Sequence, residues 1–497
     1  MDAGEGNVLF VTLDQLRADA VTGRLAGLAP TPALDRLRAE GATFLNHHTV
    51  TVPCGPSRAS LLTGLYAFNH RAIRNGTPLA AHHDGLGKAL RRLGREPLLF
   101  GYTDSTPDPT RLDPNDPDLT IYEGVAPGWR ELCEMRADAG FEWPAALKRR
   151  GYAIPEPTPD RIHDLYAPRD GRIDGPALYS AEDSDTAYLT DRALEALDVR
   201  RWRPWFAHLA YIRPHPPLVA PEPFNRLVDP ARVPPPAGPG ADHPFRAAWF
   251  SEPTQKKLFH GFDGDCAGMA PETAQALRAV YLGLLAEVDR HLGRLLDWLD
   301  ETGQADRTLV IVTADHGEML GDQGMWGKES VFLPAHHVPL IVRDPRRPGA
   351  RAVEAITETV DLAPTVLDWL GAAPPPAMDG ASLLPFLDGS EPPGWRDAAL
   401  TEIDLASPAT PTRFQRAWGL GETRCNAAVI RDARWTYVHF NGGVAPMLFD
   451  RAEDPEERRD LAGAAGAADE FRRLAAAMLD RRMTRADRRL TGFSFGV

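Results

Sequence analysis

Lysine is almost absent from this chain: Lys88, Lys148, Lys256, Lys257 and Lys328 are the whole complement in 497 residues that carry 55 basic side chains. Arginine supplies the rest. Because arginine effectively never releases its proton, a lysine in such a background is a candidate for proton chemistry. Cysteine is also scarce, and Cys54, Cys133, Cys266 and Cys425 lie too far apart for a metal-type pair or a disulfide framework. That usage fits a reducing compartment. Positive charge is not in surplus either, since 69 acidic side chains against 55 basic ones leave a net charge of −14. No basic stripe offsets it, so a nucleic-acid partner is not expected. No charged segment followed by an apolar core opens the chain, and no run reaches the length of a membrane span. The expectation is a cytoplasmic protein without a membrane partner.

What is present is globular: 43% hydrophobic and 25% charged residues support a large core. Val8-Leu9-Phe10-Val11-Thr12-Leu13 is a continuous apolar run of the kind buried in parallel sheets, and it ends on Asp14. Ligands gather at the carboxyl ends of such strands, although an Asp there serves equally as a helix cap. The arrangement recurs at Leu309-Val310-Ile311-Val312-Thr313, which leads into Asp315, His316 and Gly317 after an amphipathic helix over 277–299. Further strands are expected at Pro97–Tyr102, Trp205–Tyr211 and Val338–Val342. The alternation predicts an α/β fold with a large, mostly parallel sheet flanked by helices. Residues 103–118 and 214–240 are rich in proline and read as irregular loops, either walls of a site or plain surface excursions. After Pro374-Pro375-Pro376 the texture changes to short strands at 427–431, 435–440 and 447–449 and a helical tail at 465–484. This divides the chain into a catalytic unit over 1–372 and a smaller α+β subdomain over 373–497.

The chemistry concentrates in Val52-Pro53-Cys54-Gly55-Pro56-Ser57-Arg58-Ala59-Ser60-Leu61-Leu62-Thr63-Gly64. Pro56 suits helix entry, which puts Cys54 at or just before a helix N-terminus, where backbone N–H groups favour negative charge. Arg58 follows four residues on and reaches the same end, unless it serves only to order the helix by an ion pair.

These residues resemble the type I sulfatases of the alkaline phosphatase superfamily. The Cys-x-Pro-Ser-Arg core, continued to Leu-Thr-Gly, is the pattern by which a formylglycine-generating enzyme selects a cysteine for oxidation. The resemblance extends to Asn7–Asp14, Pro214-His215-Pro216, Thr313–Lys328, Asp361–Gly371 and Leu448-Phe449-Asp450. It implies an alkaline phosphatase-like fold and Cys54 oxidised to formylglycine, whose hydrate is a geminal diol that attacks sulfur or phosphorus. It also implies one divalent metal ion held by Asp14, Gln15, Asp315, His316 and the modified Cys54. Gln15 and His316 depart from the more acidic set of many sulfatases, and imidazole nitrogen is softer than oxygen, so manganese stands beside calcium. His215 and Lys328 match the residues that protonate the leaving group, and Arg58 matches the one that holds formylglycine or substrate oxygens.

Phe100-Gly101-Tyr102-Thr103-Asp104 and Asn75-Gly76, together with Gln15 and His316, look like the phosphonate monoester hydrolases and closely related bacterial arylsulfatases. Asn75, Tyr102 and Asp104 are therefore substrate-pocket candidates or, equally, loop-stabilising polar residues. The expected function is hydrolysis of aryl sulfates, promiscuous toward phosphonate monoesters and phosphate diesters, with phosphonate monoester hydrolysis as the alternative primary activity. An inactive anion-binding relative is disfavoured by the intact set of Cys54, Arg58, Asp315, His316 and Lys328. The expected partners are a small anionic ester and the maturation enzyme, with homo-oligomerisation left open.

Overall fold

The computed structural model describes residues 5–137, 140–154, 162–254 and 258–487. Lys256 and Lys257 lie outside them. Among the described residues thirteen strands occur in chain order: β1 (Asn7–Leu13), β2 (Ala42–His48), β3 (Thr51–Val52), β4 (Pro97–Gly101), β5 (Arg130–Glu134), β6 (Phe206–Tyr211), β7 (Thr308–Ala314), β8 (Leu340–Arg343), β9 (Arg351–Glu358), β10 (Ala398–Asp404), β11 (Asn426–Asp432), β12 (Trp435–Phe440) and β13 (Met447–Asp450). Eight of them form one sheet in the order β5-β4-β6-β1-β7-β8-β2-β9. Every neighbouring pair is parallel except those made by β8, which runs against both β7 and β2. The expected large, mostly parallel α/β sheet is thus present, mixed at one strand. The exception has a simple cause. The connection between β7 and β8 contains only short helical turns at Asp322–Gly324 and Leu333–His336, and nothing in it returns the chain to the starting edge.

The central strands are apolar throughout because both faces are covered. Leu9, Val11 and Leu13 of β1 and Val310 and Val312 of β7 enter one core, against Leu277, Leu284, Leu292 and Leu295 of the helix Pro271–Glu301. Val8, Phe10, Leu309 and Ile311 point the other way, into a core completed by Leu362, Val366 and Trp369 of the helix Leu362–Trp369. Strands buried on both sides show no alternation, which is why these were legible as continuous runs.

The second sheet has the order β13-β12-β11-β10-β3. Four of its strands come from the C-terminal region. The fifth, β3, is the pair of residues just before the cysteine segment, with Thr51 opposite Glu402 and Val52 opposite Ile403 in parallel register. Thr401 Oγ1 donates to the Thr49 carbonyl at 2.8 Å and the Glu402 amide to that of Val50 at 2.9 Å. The helix Ala468–Arg485 covers this sheet through Leu474 and Met478.

His47, His70 and His208 are among the buried histidines away from the site. His47 bonds Thr357 Oγ1 at 2.9 Å, His70 bonds Ser60 Oγ at 2.8 Å, and His208 stacks on Phe10 and bonds Thr12 Oγ1 at 3.1 Å. Burial pushes each down to about 3 from 6.5, so the folded chain holds them neutral. Their contribution to stability is whole above pH 6.5 and is lost as the pH falls toward 3. Each histidine therefore costs about 1.4 kcal/mol per pH unit in that window. Urea unfolding at about pH 7 and about pH 5 should show a large loss of stability, reduced when His47 or His208 is replaced by glutamine; a flat profile would show that these rings reach water.

Candidate active site

The carboxyl ends of β1 and β7 are adjacent, with Leu13 paired to Ala314, so Asp14 and Asp315 leave the sheet side by side. Between them comes the N-terminus of the helix Cys54–Thr63, whose first residue is Cys54. That helix ends on Gly64 in the left-handed region at φ 69°, with the Gly64 amide bonded to the Ser60 carbonyl at 2.8 Å. It is buried along its whole length. The ligating atoms of Asp14, Cys54, Asp315 and His316 all lie within 4.8 Å of one another.

Arg58 ties this cluster together. Its Nε donates to Asp315 Oδ2 at 3.0 Å, one terminal nitrogen to Asp14 Oδ2 at 3.1 Å, and the other to the Tyr102 carbonyl at 3.1 Å. The guanidinium lies 4.0 Å over the Tyr102 ring, and the Tyr102 hydroxyl donates to Asp14. In this arrangement the arginine grips the metal-type carboxylates rather than reaching only toward a ligand. Burial alone would raise the Asp14 pKa, but His215, Lys328 and Arg58 outweigh it and hold the carboxyl far below its usual range.

His316 presents Nε2 to the cluster, 3.3 Å from Cys54 Sγ and 3.7 Å from a carboxylate oxygen of both Asp14 and Asp315. Its Nδ1 faces the Gly317 carbonyl at 3.0 Å, which can only accept, so the proton sits on Nδ1 and Nε2 keeps its lone pair. Gly317 is required there, since a Cβ would stand 2.0 Å from the Pro334 carbonyl oxygen. Gln15, in the left-handed region at φ 67°, donates its amide to Asp315 Oδ1 at 3.1 Å and accepts from Lys328 Nζ through Oε1 at 2.8 Å.

Lys328 Nζ lies 3.0 Å from Cys54 Sγ and 3.0 Å from His215 Nε2. Burial, with Lys328 adding to it, pushes His215 down to about 3, so this ring is neutral. Its Nδ1 faces the Pro216 carbonyl, which leaves Nε2 to accept from the ammonium. Burial by itself would lower Lys328, but Cys54 and Asp14 hold it above its ordinary value. In this pair the lysine is the donor and the ring nitrogen the acceptor. Of the lysines in the described residues, Lys328 alone lines the cavity; Lys88 caps the Ala81 and His83 carbonyls, and Lys148 is exposed.

Asn75, Tyr102 and Asp104 border the same cavity of about 650 Å³. Asn75 Oδ1 accepts the Gly55 amide at 2.9 Å, which fixes the start of the cysteine helix. Asp104 is in the left-handed region at φ 49°, with Nε of Arg58 4.0 Å from Oδ2 and no hydrogen-bond partner for the buried Oδ1. Burial, opposed by Arg58 and reinforced by Asp14 and Asp315, pushes this carboxyl up to about 7.

Two groups of residues escape sequence reasoning. Glu318 takes the Gln15 side-chain amide and the Leu320 and Gly327 amides, setting the loop that carries Lys328. Its position three residues after Asp315 was the only signal. The outer cavity wall comes from Trp249, Trp326, Leu405 and Phe414, which no local motif marks.

Residues 6–372 match the sulfatase family and residues 321–484 match the C-terminal domain of N-sulphoglucosamine sulphohydrolase. The chain belongs to the sulfatase family and is a hydrolase of the alkaline phosphatase-like fold. It is 39% identical to the multifunctional alkaline phosphatase superfamily protein PehA of Trinickia caryophylli, over 98% of this chain and 97% of that protein. Among solved structures, the phosphonate monoester hydrolase SpPMH from Silicibacter pomeroyi superimposes with a TM-score of 0.93 at 46% identity, covering 99% of this chain and 98% of that one. The phosphonate monoester hydrolase of Agrobacterium radiobacter gives 0.90 at 40% identity, covering 98% and 97%. Choline-sulfatase of Rhizobium meliloti is more distant, at 26% identity over 93% of this chain and 83% of that protein.

The donor set of two carboxylates, one imidazole with a free lone pair and one side chain at position 54 fits a single divalent ion. Replacing His316 with alanine should weaken manganese binding by at least about tenfold in calorimetric titration; unchanged affinity would place the ion elsewhere.

Proposed function

We propose that this chain hydrolyses esters that present one negative charge, aryl sulfates first, with phosphonate monoesters and phosphate diesters close behind. Cys54 is oxidised to formylglycine by a maturation enzyme and one divalent ion, manganese or calcium, sits among Asp14, Gln15, Asp315, His316 and the modified residue 54. The observation that carries this reading is the convergence on Cys54 of His316 at 3.3 Å and Lys328 at 3.0 Å, at the wall of a cavity lined by Asp14, Cys54 and Lys328.

Charge supports the ion. Among the described residues the cations set against Asp14, Asp104 and Asp315 are Arg58 and Lys328, burial pushing His215 and His316 toward the neutral form, so the protein alone offers an anion no surplus of positive charge. A divalent cation supplies that surplus and acidifies the nucleophile's hydroxyl. Hydrated formylglycine supplies a geminal diol as the nucleophile.

The remaining work belongs to the chain's own side chains. Arg58 holds Asp14 and Asp315 in place and keeps N–H donors beyond those already used. Lys328 delivers its proton to the leaving oxygen, with His215 Nε2 beside it to accept and return that proton. Asn75, Tyr102 and Asp104 border the oxygens of the substrate. Trp249, Trp326 and Phe414 give an aryl leaving group an apolar wall.

A second reading, phosphonate monoester hydrolysis as the primary activity, is favoured by the 46% and 40% identity to two such hydrolases over nearly the whole chain. Residues 1–372 would act as the catalytic unit and 373–497 as a smaller subdomain. Four buried, unpaired thiols support a reducing compartment, for which we place the protein in the cytoplasm. Among the described residues, no helix is long and apolar enough to cross a membrane.

Mass spectrometry of the peptide spanning Cys54, from protein coexpressed with a formylglycine-generating enzyme, should show aldehyde in place of thiol. Full activity with the thiol intact would sink the mechanism. On that matured protein, kcat/KM for matched aryl sulfates, phosphonate monoesters and phosphate diesters should rank sulfate first; a phosphonate preference assigns the second reading. Lys328→Arg should lower kcat on poor leaving groups by about 10²-fold or more, because arginine keeps the charge and withholds the proton.

A further inference from the structure

Arg213 is fully buried two residues before His215, in the loop that leaves β6. One terminal nitrogen donates to two backbone carbonyls, those of His215 at 3.1 Å and Pro217 at 2.9 Å. These straddle Pro216, whose own carbonyl faces His215 Nδ1. The other terminal nitrogen donates to the Tyr179 hydroxyl at 3.1 Å, and Nε lies 3.6 Å from Asp185 Oδ2. The guanidinium carbon stands over the Tyr166 ring, 3.5 Å from its centroid, and the Tyr166 hydroxyl donates to Asp185 at 3.1 Å. Glu287, fully buried in the helix Pro271–Glu301, borders the same environment, and burial pushes its carboxyl up to about 8.

No part of this assembly is placed on the substrate, yet it holds a fixed arginine in the interior, at the desolvation cost that such burial carries. The chain of contacts says what the arginine does. It fixes the carbonyls on both sides of Pro216, the Pro216 carbonyl takes the Nδ1 proton, and Nε2 is left with its lone pair toward Lys328. We infer that Arg213, buttressed by Tyr166, Tyr179 and Asp185, is a positioning residue that sets the tautomer and aim of His215 in the proton transfer to the leaving group. Lysine would keep the charge, but it has no planar fork to bond the paired carbonyls and Tyr179 together.

The inference rests on the functional reading above, in which His215 and Lys328 protonate the leaving group, and the experiment separates the two. Matured wild type, His215→Ala and Arg213→Lys are compared on aryl sulfates and phenylphosphonate monoesters whose phenols span a range of pKa, with folding checked by circular dichroism. His215→Ala should steepen the dependence of kcat on leaving-group pKa. Arg213→Lys should steepen it in the same direction, with kcat on the poorest leaving group falling at least about tenfold further than on the best, and KM little changed. A His215→Ala enzyme with the wild-type slope removes the proton-transfer reading itself. A folded Arg213→Lys enzyme with the wild-type slope, beside a steepened His215→Ala, overturns the positioning role alone. Should Arg213→Lys fail to fold, Tyr179→Phe removes a single hydroxyl from the guanidinium and decides the matter: a smaller steepening supports the role, and an unchanged slope overturns it.

Discussion

One buried ion cluster governs this structure. Asp14 and Asp315 leave neighbouring parallel strands at the same level, so two carboxylates meet in the interior. Like charges that close are unfavourable without a counter-ion, and a counter-ion that can leave would not hold them. Arg58 is that counter-ion, bonded to one oxygen of each acid and stacked on Tyr102. It is fixed by a helix that is itself buried throughout. Removing one partner of such a cluster costs about 3–5 kcal/mol, because the charge left behind has no water to turn to.

The cluster explains why the surrounding backbone takes costly shapes. Gln15 and Asp104 both adopt left-handed conformations without being glycine, and both flank the ion cluster. Such conformations cost of order 1–3 kcal/mol and persist only where neighbours enforce them. Gln15 is enforced by Asp315, Glu318, Lys328 and the Tyr281 hydroxyl, which donates to its carbonyl at 2.8 Å. The β3–β10 pairing extends the same logic to the C-terminal sheet, since the strand that delivers Cys54 to the cluster is registered against Glu402 and Ile403. Residues far along the chain thus aim the cysteine.

How much of this could be read from the sequence depended on what each residue answers to. β1, β6 and β7 were legible because strands covered on both faces must be apolar along their length. β2, with its polar Asn46-His47-His48 end, and β9, with its exposed and acidic positions, were missed, because partners elsewhere in the sheet satisfy their polar groups. β3 was too short to leave a periodic signal. In the site, Cys54, Arg58, Asp14, Asp315, His316, His215 and Lys328 were all legible in the sequence, and all meet in one place. Glu318, Trp249, Trp326 and Phe414 were not, because bracing a loop or walling a cavity demands only size or charge and many sequences supply either.

The sequence by itself therefore determined the chemical parts: a cysteine at a helix start, an arginine one turn on, acids at two strand ends, and a rare lysine, Lys328, beyond His316. These are local requirements, and local residue types answer them. Only the tertiary structure decided that Arg58 would bridge the two acids, that Lys328 would donate to His215, and that Arg213 would bond the carbonyls of the histidine loop. Those relations join positions up to hundreds of residues apart, and they exist only once burial has removed water as the competing partner for every charge involved.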